Sequence, residues 1–137
     1  MTSIRLCLIT MLTIFSIKGL AQTENKLIGV WKLYKIEQGG TLGFSETLIF
    51  NKSTFERIEK SGKKVVDKGD YEMKANELIL KTKKVTGLPD TIRFEDRIMK
   101  YELRKNELIL IEQFDPKNTG EKQMTYQTYY FKKRNHR

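Results

Sequence analysis

The sequence predicts an all-β protein folded as an eight-stranded antiparallel up-and-down barrel, and three observations carry that prediction. Beyond residue 21, short runs rich in β-branched and aromatic side chains recur between turn residues, and no stretch has a helical period. Residues 71–80 (YEMKANELIL) recur as residues 101–110 (YELRKNELIL), and each copy reads as a strand, a tight turn and a returning strand. Short and long connections alternate, which puts the tight turns at one end of a meander and the loops at the other.

Taken in order, strands are expected at residues 28–36, 44–50, 54–59, 65–73, 77–82, 91–103, 107–114 and 123–132. Asn51-Lys52-Ser53 makes the first tight turn. The two repeated turns centre on Asn76 and Asn106, because asparagine tolerates the left-handed conformation that short hairpins require. The looser connections are 37–43, 60–64, 83–90 and 115–122. Alternation within the repeat places Tyr71, Met73, Leu78 and Leu80 on one face, with Tyr101, Leu103, Leu108 and Leu110 equivalent to them. Glu72, Lys74, Glu102 and Arg104 take the other face, so the apolar set points inward. Strand 91–103 breaks this phase, because Ile92, Phe94 and Ile98 oppose Arg97, Met99 and Tyr101; a bulge near Glu95-Asp96 is the expected remedy. In the last strand, Tyr129 and Phe131 are preferred over Tyr126, Thr128 and Tyr130 as the inner set.

Residues 1–21 have the form of a cleaved export signal: Arg5, an uncharged stretch over 6–17, then Gly19-Leu20-Ala21 before Gln22. The stretch is shorter than the roughly 20 residues of a membrane-spanning helix. Cys7 lies at its start, so a lipoprotein attachment is not expected. The product is expected to be a periplasmic or secreted monomer, a single domain over residues 22–137. That domain carries 24 Lys and Arg against 17 Asp and Glu. The basic excess concentrates at Lys81/Lys83/Lys84 and at Lys132-Lys133-Arg134 with Arg137, consistent either with attraction to an anionic envelope surface or simply with solubility. No aromatic-interleaved basic motif for nucleic acid is present.

The only cysteine is Cys7 and the only histidine His136; the serines after residue 21 are Ser45, Ser53 and Ser61. Disulfides, thiolate or histidine metal sites and a Ser–His–acid relay are therefore not expected, and neither is a cofactor. Carboxylate pairs such as Glu46 with Glu112 could serve as acid and base, but salt-bridged or solvated carboxylates are far commoner, so no catalytic role is expected.

The first strand reads Leu27-Ile28-Gly29-Val30-Trp31-Lys32-Leu33, and its Gly-x-Trp in an eight-strand meander resembles the lipocalin-like (calycin) barrels. Leu48-Ile49-Phe50…Phe55 and Gly69-Asp70-Tyr71…Asn76-Glu77-Leu78-Ile79-Leu80 are similar to the corresponding pieces of short exported bacterial lipocalin-like domains. The resemblance implies structural roles for Gly29, Trp31 and Leu33, with Trp31 packed across a closed base. It also implies a basic partner for Trp31 near the barrel's end, a place that chain position offers to Arg134. The long helix, further motifs and disulfide cysteines of the larger lipocalins are missing.

Extended along the strands, the inward phase puts Glu46, Arg57, Arg97 and Glu112 on the mouth side of the barrel. Charges on an inner face must pair or meet a ligand. One reading has Arg57 and Arg97 holding the polar or anionic end of a small hydrophobic or amphipathic molecule lying over Phe50, Phe55, Tyr71, Met99 and Tyr101, because the planar guanidinium suits carboxylates and phosphates. The other has an Arg–Glu network capping a barrel filled by its own side chains, with function on the outer surface. Tyr34, Ile36, Ile49 and Ile58 are the outward apolar candidates for such a surface.

Overall fold

The computed structural model describes residues 26–37, 46–59, 64–114 and 125–135. Among them eight antiparallel strands close into a barrel in simple sequence order. They are β1 (Gly29–Glu37), β2 (Glu46–Phe50), β3 (Thr54–Glu59), β4 (Lys64–Lys74), β5 (Glu77–Val85), β6 (Arg97–Arg104), β7 (Glu107–Phe114) and β8 (Thr125–Lys133). The last strand closes on the first, with Trp31 opposite Lys133 and Leu33 opposite Phe131. The export-signal segment, Phe44 and three of the four long connections lie outside the described residues.

Alternation explains the core. Leu27, Trp31, Phe50, Phe55, Leu78 and Leu108 fill the closed end, each at most 1% exposed. Leu33, Leu48, Leu80, Met99, Leu110 and Phe131 form the layer above them. Intervening residues such as Lys32, Glu72, Lys74, Lys100 and Glu102 are exposed, so around these layers the core-facing side chains are apolar and most of the outward ones charged. Phe131 is buried and Tyr129 packs on the core, while Tyr126 is half exposed, which gives β8 the preferred inner set.

The two repeat copies form two-residue hairpins, with Lys74 opposite Glu77 and Arg104 opposite Glu107. The left-handed residue is Ala75 (φ 47°), not Asn76. The asparagines instead offer their backbone carbonyls to the next strand: Asn76 accepts from the Tyr101 N–H and Asn106 from the Lys133 N–H, both at 3.0 Å. Each turn is thereby stitched to its neighbour.

Three departures from the expected strands have local causes. β6 begins at Arg97 rather than residue 91, and no bulge is needed. Leu88 N–H bonds to Val85 O and Ile92 N–H to Pro89 O, so the Gly- and Pro-bearing connection satisfies its backbone in turns instead of a ladder. Ile92 lies outside the strand, and Ile98 points outward, 55% exposed. In β1 a register shift between Leu33 and Lys35 reverses the phase, so Ile36 packs against the core and is not an outward residue. In β4 the register shifts between Lys68 and Gly69. There a Cβ on residue 69 would lie 2.0 Å from the Lys81 carbonyl oxygen, so only glycine fits.

Candidate functional site

The closed end is organised around the Gly-x-Trp pair. The Trp31 Nε1–H donates to Leu27 O at 2.7 Å inside the core. Lys133, directly across the ladder, extends its ammonium over the indole, 5.3 Å from the ring centroid, and donates to Lys26 O at 3.2 Å. Gly29 makes room for it: residue 29 has φ +143°, and a Cβ there would sit 2.9 Å from Lys133 Cε. The basic partner of Trp31 is thus Lys133 and not Arg134, which is exposed and contributes its backbone N–H to Val30 O at 2.8 Å. Leu33 is buried one layer higher.

Of the apolar candidates for ligand contact, most belong to the closed end. Phe50 and Tyr71 pack edge to face at 5.1 Å, and Phe55 is 1% exposed beside them. The Tyr71 hydroxyl donates to Asn51 O at 2.7 Å, pinning the β2–β3 turn. Tyr101 donates its hydroxyl to Ala75 O at 2.9 Å, also at a base turn. Met99 alone lies in the upper layer.

The four charged candidates come together at the mouth, where they form part of a ring. Arg57 stands opposite Asp67 in the β3–β4 ladder, and its Nε donates to Asp67 Oδ1 at 2.5 Å. Glu46 Oε2 is 3.8 Å from the same guanidinium. Across the barrel, Arg97 grips Glu112 with two parallel bonds, Nε to Oε1 and Nη2 to Oε2, both 2.6 Å. Tyr129 donates to Gln127 Oε1 at 2.9 Å and stands 3.4 Å from Glu112 Oε2, with the Arg97 guanidinium 5.9 Å from its ring centroid. Around the circumference the ring runs Glu46, Arg57, Asp67, Arg97, Glu112 and Tyr129. Asp67 was missed in the sequence, although the alternation that turns Tyr71 and Met73 inward reaches it unchanged. Gln127 was missed too.

The ring holds three carboxylates against two guanidiniums. Asp67 and Glu112 each have a close arginine, which leaves Glu46 as the carboxylate least well met. Burial raises its pKa, and the opposing pull of Arg57 and Arg97 does not cancel that rise. Burial also acts against the charge on Arg97, but bonding to Glu112 outweighs it, so this guanidinium is held more firmly protonated than usual. Tyr129, half buried beside Glu112, is pushed up to about 12 and stays a hydrogen-bond donor. No described buried side-chain nitrogen or oxygen lacks a partner.

Beneath the ring, a void of about 10 Å³ is bounded by Glu46, Arg97 and Tyr129 above and by Leu48, Leu80, Met99, Leu110 and Phe131 below. That is room for about one water molecule, so the depth of the barrel is occupied by its own side chains. No protein-family model matches the chain, and no curated protein matches it. The eight-stranded barrel is compatible with a lipocalin-like fold. Chemically, the ring can accept and donate hydrogen bonds at a polar rim set over an apolar floor.

Proposed function

We propose that the chain is an exported, monomeric, lipocalin-like binding protein whose ligand, a small amphipathic molecule, is taken at the mouth of the barrel. It works by binding rather than turnover. The observation that carries this reading is the polar ring standing over the apolar layer of Leu48, Leu80, Met99 and Leu110. The layer is buried beneath the ring, so a ligand enters by parting the ring side chains, setting its apolar part on that layer and its polar end on the ring. Because both arginines already bond to carboxylates and Glu46 is left over, the ring favours a polar end that donates hydrogen bonds over a bare anion. Export rests on the signal pattern of residues 1–21, and the lipocalin likeness on the Gly-x-Trp base together with the strand order.

The void of about 10 Å³ favours a second reading, a filled barrel that acts through its outer surface on another protein or the cell envelope. Native mass spectrometry of the protein purified from its own host separates the two. A stoichiometric small molecule, displaced by an apolar dye that fluoresces on binding, is the expected result. An empty protein that leaves the dye dark would overturn the mouth site and leave the surface reading.

A further inference from the structure

The two basic concentrations in the sequence meet opposite fates in the fold. In the first, Lys81 pairs with Glu72 at 3.0 Å, Lys83 with Asp70 at 2.6 Å and Lys84 with Asp90 at 3.5 Å. In the second, Lys132 and Lys133 have no carboxylate within ion-pairing distance among the described residues. Lys132 lies over the Tyr34 ring at 4.6 Å, and Lys133 over Trp31. Strand closure then brings further cations beside them from distant parts of the chain: Arg104 from the end of β6, Lys105 from the turn that follows it, and Lys26 from ahead of β1. Lys26 and Lys105 likewise have no described carboxylate partner; Arg104 bonds to Glu102 and Glu107.

These residues line two open grooves at the closed end. One, of about 440 Å³, runs along Arg104, Lys105, Asn106, Lys132 and Lys133, with Glu107 on its wall. The other, of about 340 Å³, lies between Lys26, Leu103 and Lys133. Arg104, Lys105 and Lys133 border both, so the grooves share a basic wall.

We propose that this end of the barrel binds a polyanionic chain, a sulfated or phosphorylated polysaccharide, laid across the two grooves. Unneutralised lysines attract such groups as point charges, and the Asn106 side chain on the groove wall adds a neutral amide donor. The cations are strung along two adjoining shallow grooves with a common wall, an arrangement that lets a chain set successive anionic groups against both. The surface lies at the opposite end from the mouth and stands or falls independently of it.

Heparin serves as the sulfated probe, and its affinity for the purified protein is measured by calorimetry in about 0.15 M salt. The double variant Lys105→Gln/Lys132→Gln is compared with Lys83→Gln/Lys84→Gln, which loses the same formal charge elsewhere. The groove variant is expected to bind about tenfold more weakly, and the control within about twofold of the parent. Equal weakening in both variants would reduce the effect to net charge and overturn the site; so would no weakening in either. Binding to phosphatidylglycerol vesicles with no binding to heparin would overturn it in favour of a lipid surface. Lys26→Gln/Lys105→Gln repeats the test without touching the Lys132–Tyr34 contact, and matched melting temperatures exclude a folding defect.

Discussion

A single added carbon distinguishes the two glycines that lie in resembling motifs. At Gly69 the added atom would meet backbone, the Lys81 carbonyl oxygen at 2.0 Å. At Gly29 it would meet the movable end of a lysine, although φ +143° remains strained for any other residue. Gly69→Ala should therefore cost more than the roughly 1–3 kcal/mol of an ordinary overpacked site, read as a lowered urea midpoint or loss of folding. Ala75 presents the converse case, a non-glycine residue at φ 47° in an exposed turn. Ala75→Gly should raise stability by up to about 1 kcal/mol, strain relief of about 1–2 kcal/mol exceeding the lost backbone entropy. The need for glycine at 69 was not legible in the sequence, because it arises from a register shift that only the paired strand reveals. Lys133 was legible: the phase that turns Tyr129 and Phe131 inward reaches it two residues later, whereas position in the chain alone suggested Arg134.

Strands come out of the sequence well where hairpins fix them and poorly where a long connection intervenes. β3 and β7 have the bounds that alternation predicts, and the repeat sets the phase of β4 through β7. β6 starts late because turns around Pro89 satisfy the backbone, and the turn of Ile36 toward the core follows from a bulge against β8. The charged candidates were found because inward charges stand out against an apolar phase; their pairing depends on the register between neighbouring strands, β2 with β3, β3 with β4 and β6 with β7. That pairing predicts an asymmetry. Arg97→Ala strands Glu112 and should cost about 2–3 kcal/mol, whereas Arg97→Met with Glu112→Leu should lie within about 1 kcal/mol of the parent in chemical denaturation. At the other end, Lys133→Ala should shift the Trp31 emission and lower stability by about 1 kcal/mol, while Arg134→Ala leaves the emission unchanged.

For the molecule as a whole, the ring at the mouth ties stability to pH through Glu46. Its folded pKa lies above the ordinary 4.5, so folding favours the protonated form. The stability this gives is complete below the unfolded value and is lost as pH rises through the raised folded value. Glu46→Gln mimics the protonated form, so it should melt higher than the parent at pH 7, and the gap should close as the pH falls to about 4. A variant that melts lower than the parent at pH 7 would show that the carboxylate is better compensated than its distance from Arg57 indicates.

The seam of the barrel joins the first strand to the last, with Trp31 facing Lys133. For a chain delivered amino-terminus first, from a ribosome or through a narrow channel, this seam, like the β7–β8 ladder, must wait for the final strand to emerge, and of the two it alone reaches back to the first strand. Until then β1 has β2 alone to pair with, and the indole lacks the lysine that covers it. Trp31, the only tryptophan in the chain, is therefore a built-in clock whose emission marks the moment of completion rather than the gradual growth of strands.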